Sequence, residues 1–249
     1  MTAPVPRGAC RGQATAGSKT RAAAIFLAAV AWAGPARAEV GAAASAYSDY
    51  QFRGYSLSDS RPVAILDLSY DLPTGLYASA SGSVVASRGH GIQPLRLALN
   101  GGYATTTWRG VTADVGVIHA RYSRYSGLTV DRAYTEVYAG LAAKMAGARV
   151  SLSPDYLGYA RWTLRGELSG HVDLSPTLGV TGVAGALVPL DERYVGATRA
   201  TWDARLGIAK RIGRVSLQAA VTARGKGGDL YGARSHRRAA LIVGISSPL

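Results

Sequence analysis

From residue 39 onward the chain alternates apolar and polar residues with period two. In residues 161–173, Trp162, Leu164, Gly166, Leu168, Gly170 and Val172 fall on one side; Arg161, Thr163, Arg165, Glu167, Ser169, His171 and Asp173 fall on the other. Successive side chains of an extended strand point to opposite faces, so this segment predicts a strand with one apolar and one charged face. Residues 214–224 repeat the pattern, with Val215, Leu217, Ala219, Val221 and Ala223 against Arg214, Ser216, Gln218, Thr222 and Arg224. Residues 111–117 set Val111, Ala113, Val115 and Val117 against Thr112, Asp114 and Gly116. About twelve such segments are recognisable, centred near residues 45, 66, 81, 99, 116, 138, 151, 167, 182, 205, 219 and 241.

The connections between them alternate in length. Short ones cover residues 71–75, 105–110, 144–148, 173–177 and 211–214, each carrying the Gly, Pro, Asp or Ser that tight turns favour. Longer ones cover residues 54–62, 87–94, 121–132, 154–159, 189–199 and 225–236. The predicted fold is all-β: a transmembrane antiparallel β-barrel of about twelve strands, with short periplasmic turns and longer extracellular loops. A soluble periplasmic β-sandwich or barrel shows the same alternation. It would hide its apolar faces inside, whereas a membrane barrel turns them to lipid. The loop alternation, the many Gly and Ala residues on apolar faces and the aromatics near strand ends (Tyr70, Tyr77, Trp108, Trp162, Trp202) favour the membrane form.

The N-terminal end changes the picture by adding a route out of the cell. Arg7, Arg11, Lys19 and Arg21 precede an apolar run at residues 22–34, which is shorter than the ~20 residues a membrane-spanning helix needs. Ala36-Arg37-Ala38 follows as a small-x-small cleavage pattern. Residues 1–38 are therefore expected to be a cleaved signal peptide and residues 39–249 the barrel domain. The sole cysteine, Cys10, lies before the apolar run, so neither a lipid anchor nor a disulfide framework is expected in the mature chain. Loss of the leader removes five basic residues, and the formal net charge of +13 falls by five to +8. Behind an export signal that surplus points to anionic lipid headgroups or anionic solutes rather than to nucleic acid. The expected partners are outer-membrane lipids and lipopolysaccharide, the outer-membrane assembly machinery and small solutes, at a bacterial outer-membrane location.

Candidate chemistry is sparse. Some small outer-membrane barrels act on lipid, which takes a serine, a histidine base and an orienting carboxylate. His119 near Ser123, Ser126 and Glu136 is the one arrangement in which such a triad is conceivable, and nothing beside it marks a nucleophile. His90 and His236 fall in expected loops. His171 shares its face with Glu167 and Asp173 and reads as lumen lining. No zinc or calcium spacing occurs, and residues 224–229 lack the helix a phosphate loop needs. The chain is expected to be no enzyme and to carry no cofactor or metal. The polar strand faces are more informative. Arg96, Arg161, Arg165, Arg205, Arg214 and Arg224 are expected to face the lumen together with Asp114, Glu136, Glu167, Asp173 and Asp203. That mixture suits a weakly anion-favouring pore, or equally a closed interior in which the charges pair. Twelve strands fall between the filled interior of about eight and the aqueous channel of about 16–18.

After the first strand the chain reads Ser48-Asp49-Tyr50-Gln51-Phe52-Arg53-Gly54-Tyr55-Ser56. This SDYxFRGxS string resembles the signature of the TorF porin family of proteobacteria. Weaker likeness continues through Pro62, Gly75 with Tyr77, the Glu136-Val137-Tyr138 run and residues 153–156. The resemblance implies an outer-membrane barrel working as a porin. The chain departs from many outer-membrane proteins in closing on Ser-Ser-Pro-Leu rather than on an aromatic residue. From the residues alone, Tyr50, Phe52 and Tyr55 are expected at the membrane interface, Asp49 and Arg53 as an ion pair, and Gly54 as the turn into the first loop. Arg53 then serves either strand closure or a constriction.

Overall fold

The structure, a computed structural model, describes residues 38–126, 131–190, 200–225 and 238–249. Residues 1–37 of the expected leader, with Cys10, and likewise His236, the glycine-rich run past Gly225 and parts of three long loops lie outside the described residues. In chain order the strands are β1 (Glu39–Tyr47), β2 (Gln51–Phe52), β3 (Tyr55–Ser56), β4 (Val63–Asp71), β5 (Leu76–Ser87), β6 (Gly91–Thr106) and β7 (Thr112–Tyr122), followed by β8 (Arg132–Ala142), β9 (Ala146–Ser153), β10 (Thr163–Ser175), β11 (Leu178–Pro189), β12 (Thr201–Ile212), β13 (Val215–Arg224) and β14 (Ala239–Pro248). Twelve of them form a closed antiparallel barrel in which every strand pairs with its sequence neighbour and β1 seals against β14; β2 and β3 form a separate hairpin. Each expected strand centre falls inside one of the twelve.

Register explains the polarity of the wall. Residues directly opposite in an antiparallel ladder share a face, and the pairs Arg165↔Leu187, Leu187↔Thr201 and Asp203↔Arg224 carry one face around the sheet. That face is the interior. The other face holds Leu168, Leu206 and Leu241, each more than 60% exposed. An outer wall of this kind is stable against hydrocarbon and not against water. Trp162 and Trp202 stand on it near the long-loop end, where an interfacial girdle belongs. Tyr77, expected in the same girdle, instead points inward and bonds Asp114 and Tyr138. The side chain of Trp108 lies outside the described residues.

Inside, three tyrosines lie over glycines on the neighbouring strand: Tyr77 opposite Gly102, Tyr138 opposite Gly116 and Tyr47 opposite Gly244. A Cβ at any of these glycines would come within 2.5 Å of the tyrosine. The glycines thus let the rings lie flat on the wall rather than project across the lumen.

Two connections differ from expectation. Residues 87–94 are not a loop: β5 and β6 pair up to Ser87↔Gly91, and Gly89 and Gly91 take the positive φ values a tight turn requires. Pro94 marks the strand irregularity near Ser83 and Val84 rather than a strand end, because proline lacks the N–H a regular ladder needs. Residues 54–62, expected to form the first outer loop, and residues 49–53, expected at the membrane interface, instead include a hairpin that folds back into the barrel.

Candidate functional site: a hairpin lodged in the barrel mouth

Beyond Tyr47 the chain stops following the wall. Ser48 makes the last contacts of the β1–β14 seam, its N–H donating to the Val243 carbonyl at 2.9 Å and its Oγ accepting from the Val243 N–H at 3.1 Å. Residues 49–58 then enter the lumen as a hairpin, pairing Gln51 with Ser56 and Phe52 with Tyr55. Its two turn residues, Arg53 at φ 51° and Gly54 at φ 77°, have the positive φ values of a type I′ turn, which matches the twist of a short hairpin. Asp49 closes the base: Ser56 Oγ and Ser58 Oγ donate to its Oδ1 at 2.6 and 2.7 Å, and Gln51 donates to its Oδ2. Tyr50 N–H donates to Ser58 Oγ at 2.9 Å. The expected Asp49–Arg53 pair does not form, because a two-residue turn places the arginine at the far tip from the aspartate.

The aromatic residues of the hairpin are buried, not interfacial. Tyr50, Phe52, Tyr55 and Leu57 pack with wall residues Tyr122 and Tyr134 and with Tyr156 and Leu157, which arrive from a single 3-10 turn at Tyr156–Gly158. Phe52 meets Tyr122 and Tyr134 at centroid distances of 5.9 Å, and Tyr134 meets Tyr156 at 5.3 Å. Apolar residues in an outer loop would stand in water; folded inward they are buried in the long-loop half of the lumen.

At the tip, Arg53 is the pivot. Its guanidinium donates to Glu136 Oε2 and to the Tyr156 hydroxyl, each at 2.7 Å. It also lies 4.8 Å from the Phe52 ring centre and 5.2 Å from that of Tyr156. A buried carboxylate and arginine hold only when paired and hydrogen-bonded, and each is nearly sealed from solvent here. Gly54 touches the opposite wall: a Cβ would stand 2.7 Å from the Cβ of Arg224 and 3.2 Å from that of Asp203. The hairpin therefore spans from β8 to the β12–β13 pair.

A belt of ion pairs continues around the wall. Arg165 grips Asp203 through both terminal nitrogens at 2.6 and 3.1 Å and reaches Glu167 at 2.9 Å. Arg149 reaches Asp114 at 3.1 Å and lies 4.2 Å from the Tyr138 ring centre. Of the expected lumen residues, Arg96, Asp114, Glu136, Arg161, Arg165, Glu167, Arg205 and Arg224 have the inward parity; Arg224 covers the Tyr55 ring at 4.2 Å. His171 and Asp173 pair at 2.8 Å nearer the short-turn end. Arg214 is a correction. It keeps the parity but falls in the turn between β12 and β13, exposed at the barrel rim. His119 and Glu136 point to opposite faces, His119 outward with its Nδ1 2.9 Å from Thr135 Oγ1, so the conceivable triad does not assemble. Arg149 was not among the expected residues, although the alternation of Arg149, Ser151 and Ser153 with Val150 and Leu152 marks it as inward.

Residues 32–226 match the family described as a bacterial protein of unknown function (Gcw_chp). The chain belongs to this family. The Gcw_chp match includes both the hairpin and the wall that receives it. No curated protein matches the chain in sequence. Among solved structures, the NanC porin is similar at a TM-score of 0.55 and 11% identity, with 84% of this chain and 100% of that one covered. An outer-membrane channel of Pseudomonas putida F1 is similar at a TM-score of 0.50 and 14% identity, covering 87% of this chain and 97% of that one. At these identities the likeness is one of fold, a closed barrel of the kind outer-membrane channels use.

Proposed function

We propose that this protein is an outer-membrane channel for passive diffusion of small solutes, with the β2–β3 hairpin as its constriction. The short turns would face the periplasm and the long loops the exterior, after export behind residues 1–38 and insertion by the outer-membrane assembly machinery. The observation that carries the proposal is the inverted wall: an apolar exterior around a charged, hydrogen-bonding interior. The resemblance of residues 48–56 to the TorF porins and the barrel fold support the same conclusion. Solvent reaches the inner face in the short-turn half, where Thr181 is exposed although it faces inward, and the hairpin fills the long-loop half. Arg53, Arg165 and Glu136 would then set the narrowest section, with anionic solutes favoured.

A second reading is a non-conducting barrel that serves envelope structure or surface interaction, and the packed hairpin is the observation in its favour. Single-channel recording of refolded residues 39–249 in a planar bilayer, with a salt gradient, separates the two. Discrete openings with an anion-leaning reversal potential are expected. Silence from protein shown separately to be folded and inserted would leave the structural barrel.

A further inference from the structure

The cations of the inner wall do not share one fate. Arg53, Arg149 and Arg165 each hold a carboxylate, and Arg224 stacks on Tyr55. Arg205 differs. It stands on the inner face of β12, two residues toward the short turns from Asp203, and is half-buried. Among the described residues it has no hydrogen-bond or ion-pair partner. The nearest carboxylate along its own strand, Asp203, is taken by both terminal nitrogens of Arg165. Its cross-strand neighbours, Val183 and Thr222, supply no charge. Toward the short turns the same wall is low, with Gly207 and Ala209 on β12 and Thr181 and Gly179 on β11. Arg205 is only half-buried and Thr181 on the same face is exposed, so this low stretch of wall leaves room for a ligand beside the arginine.

We infer that Arg205 is the coordinating residue of a binding site for small monocarboxylates, just inside the barrel on the short-turn side of the hairpin. The inference rests on the channel proposed above. A guanidinium presents two parallel N–H donors that match the two oxygens of one carboxylate. Val183 beside it offers an apolar contact for a short carbon chain, while Thr222 is buried with its hydroxyl donating to the Ala240 carbonyl at 3.4 Å. The charge balance selects a single negative charge. Arg205 supplies one positive charge that no carboxylate among the described residues takes, which matches one negative charge on the ligand.

The test uses the whole mature barrel in detergent micelles and does not need conduction. Saturation-transfer NMR of propionate reports binding for the unchanged chain and for Arg205→Gln, with the rim variant Arg214→Gln as control. One lost charge-assisted hydrogen-bonded contact corresponds to roughly tenfold weaker binding in Arg205→Gln, while Arg214→Gln binds propionate as the unchanged chain does. Equal propionate signals in the unchanged chain and Arg205→Gln, or none in either, overturn the site. Displacement of propionate by an equal concentration of inorganic phosphate overturns the monocarboxylate assignment. In bilayers, where the channel proposal holds, the propionate-to-potassium permeability ratio falls in Arg205→Gln without loss of openings. Absence of openings from every variant tells against the channel alone, since the micelle measurement stands apart from it.

Discussion

Arg53→Ala is expected to unlatch the hairpin and raise the conductance of the barrel. The substitution leaves Glu136 on β8 without its cation in a site that is 2% exposed. Removing one partner of a buried pair costs about 3–5 kcal/mol, most of it the penalty of an uncompensated charge. The loss extends further, because the same guanidinium bonds the Tyr156 hydroxyl and lies against Phe52, Tyr134 and Tyr156. The barrel has a cheaper response than unfolding. Its wall is held by continuous ladders, whereas the hairpin tip is latched to the wall through the Arg53 side chain. Release of residues 49–58 exposes Glu136 to water and removes the penalty. The expected result is longer or larger openings in single-channel recordings, with heat-modifiable migration of the folded barrel retained. Arg53→Ala combined with Glu136→Ala loses less stability than the two single changes added together, since the second removes the charge the first abandons. Conductance and urea midpoint both equal to those of the unchanged chain would show that the latch holds nothing.

The second large effect is at Gly54. Valine there is strained twice. The backbone sits at φ 77°, a conformation a β-branched residue adopts at a cost of order 1–3 kcal/mol, and the added Cβ would overlap that of Arg224 at 2.7 Å. Neither Cβ can turn away, because both are fixed by backbone. Overpacking of this kind adds about 1–3 kcal/mol. The relevant comparison is Gly89→Val, which has nearly the same φ, 78°, with nothing within 4 Å of the new atom. Limited trypsin digestion distinguishes them. In the unchanged chain Arg53 is buried at the hairpin tip, so cleavage there is slow. In Gly54→Val the hairpin is expelled and cleavage after Arg53 becomes fast, while Gly89→Val protects Arg53 as before. Equal protection in Gly54→Val would mean the wall yields to the new side chain.

The wall was legible in the sequence because its rule is local. Period-two alternation needs only that each strand separate lipid from lumen, and a segment such as residues 161–173 states both faces at once. Arg165, Glu167 and Asp203 thus fall on the inner face by alternation alone, without reference to their mutual contacts. What alternation does not carry is where a strand stops. Arg214 has the right parity one residue too early, and Pro94 reads as a loop although the strand continues through an irregularity.

The hairpin is hidden from the sequence for a different reason. Its strands are two residues each, too short for periodicity to register, and its partners lie about 80–170 residues away in sequence: Glu136, Tyr156, Asp203 and Arg224. One signal was present. Tyr50, Phe52, Tyr55 and Leu57 form a dense apolar set for an outer loop, and the Ser56 and Ser58 hydroxyls are spaced to close on Asp49. Aromatics near a strand end fit a membrane girdle equally well, and nothing local separates the two.

The most direct test of the account is the single-channel conductance of the mature barrel beside that of a variant in which residues 49–60 are replaced by a glycine–serine linker. Both are refolded and shown to be inserted by heat-modifiable migration. The hairpin as constriction predicts small or infrequent openings in the unchanged chain and clearly larger ones in the variant. Identical conductance, or silence from both, would contradict it.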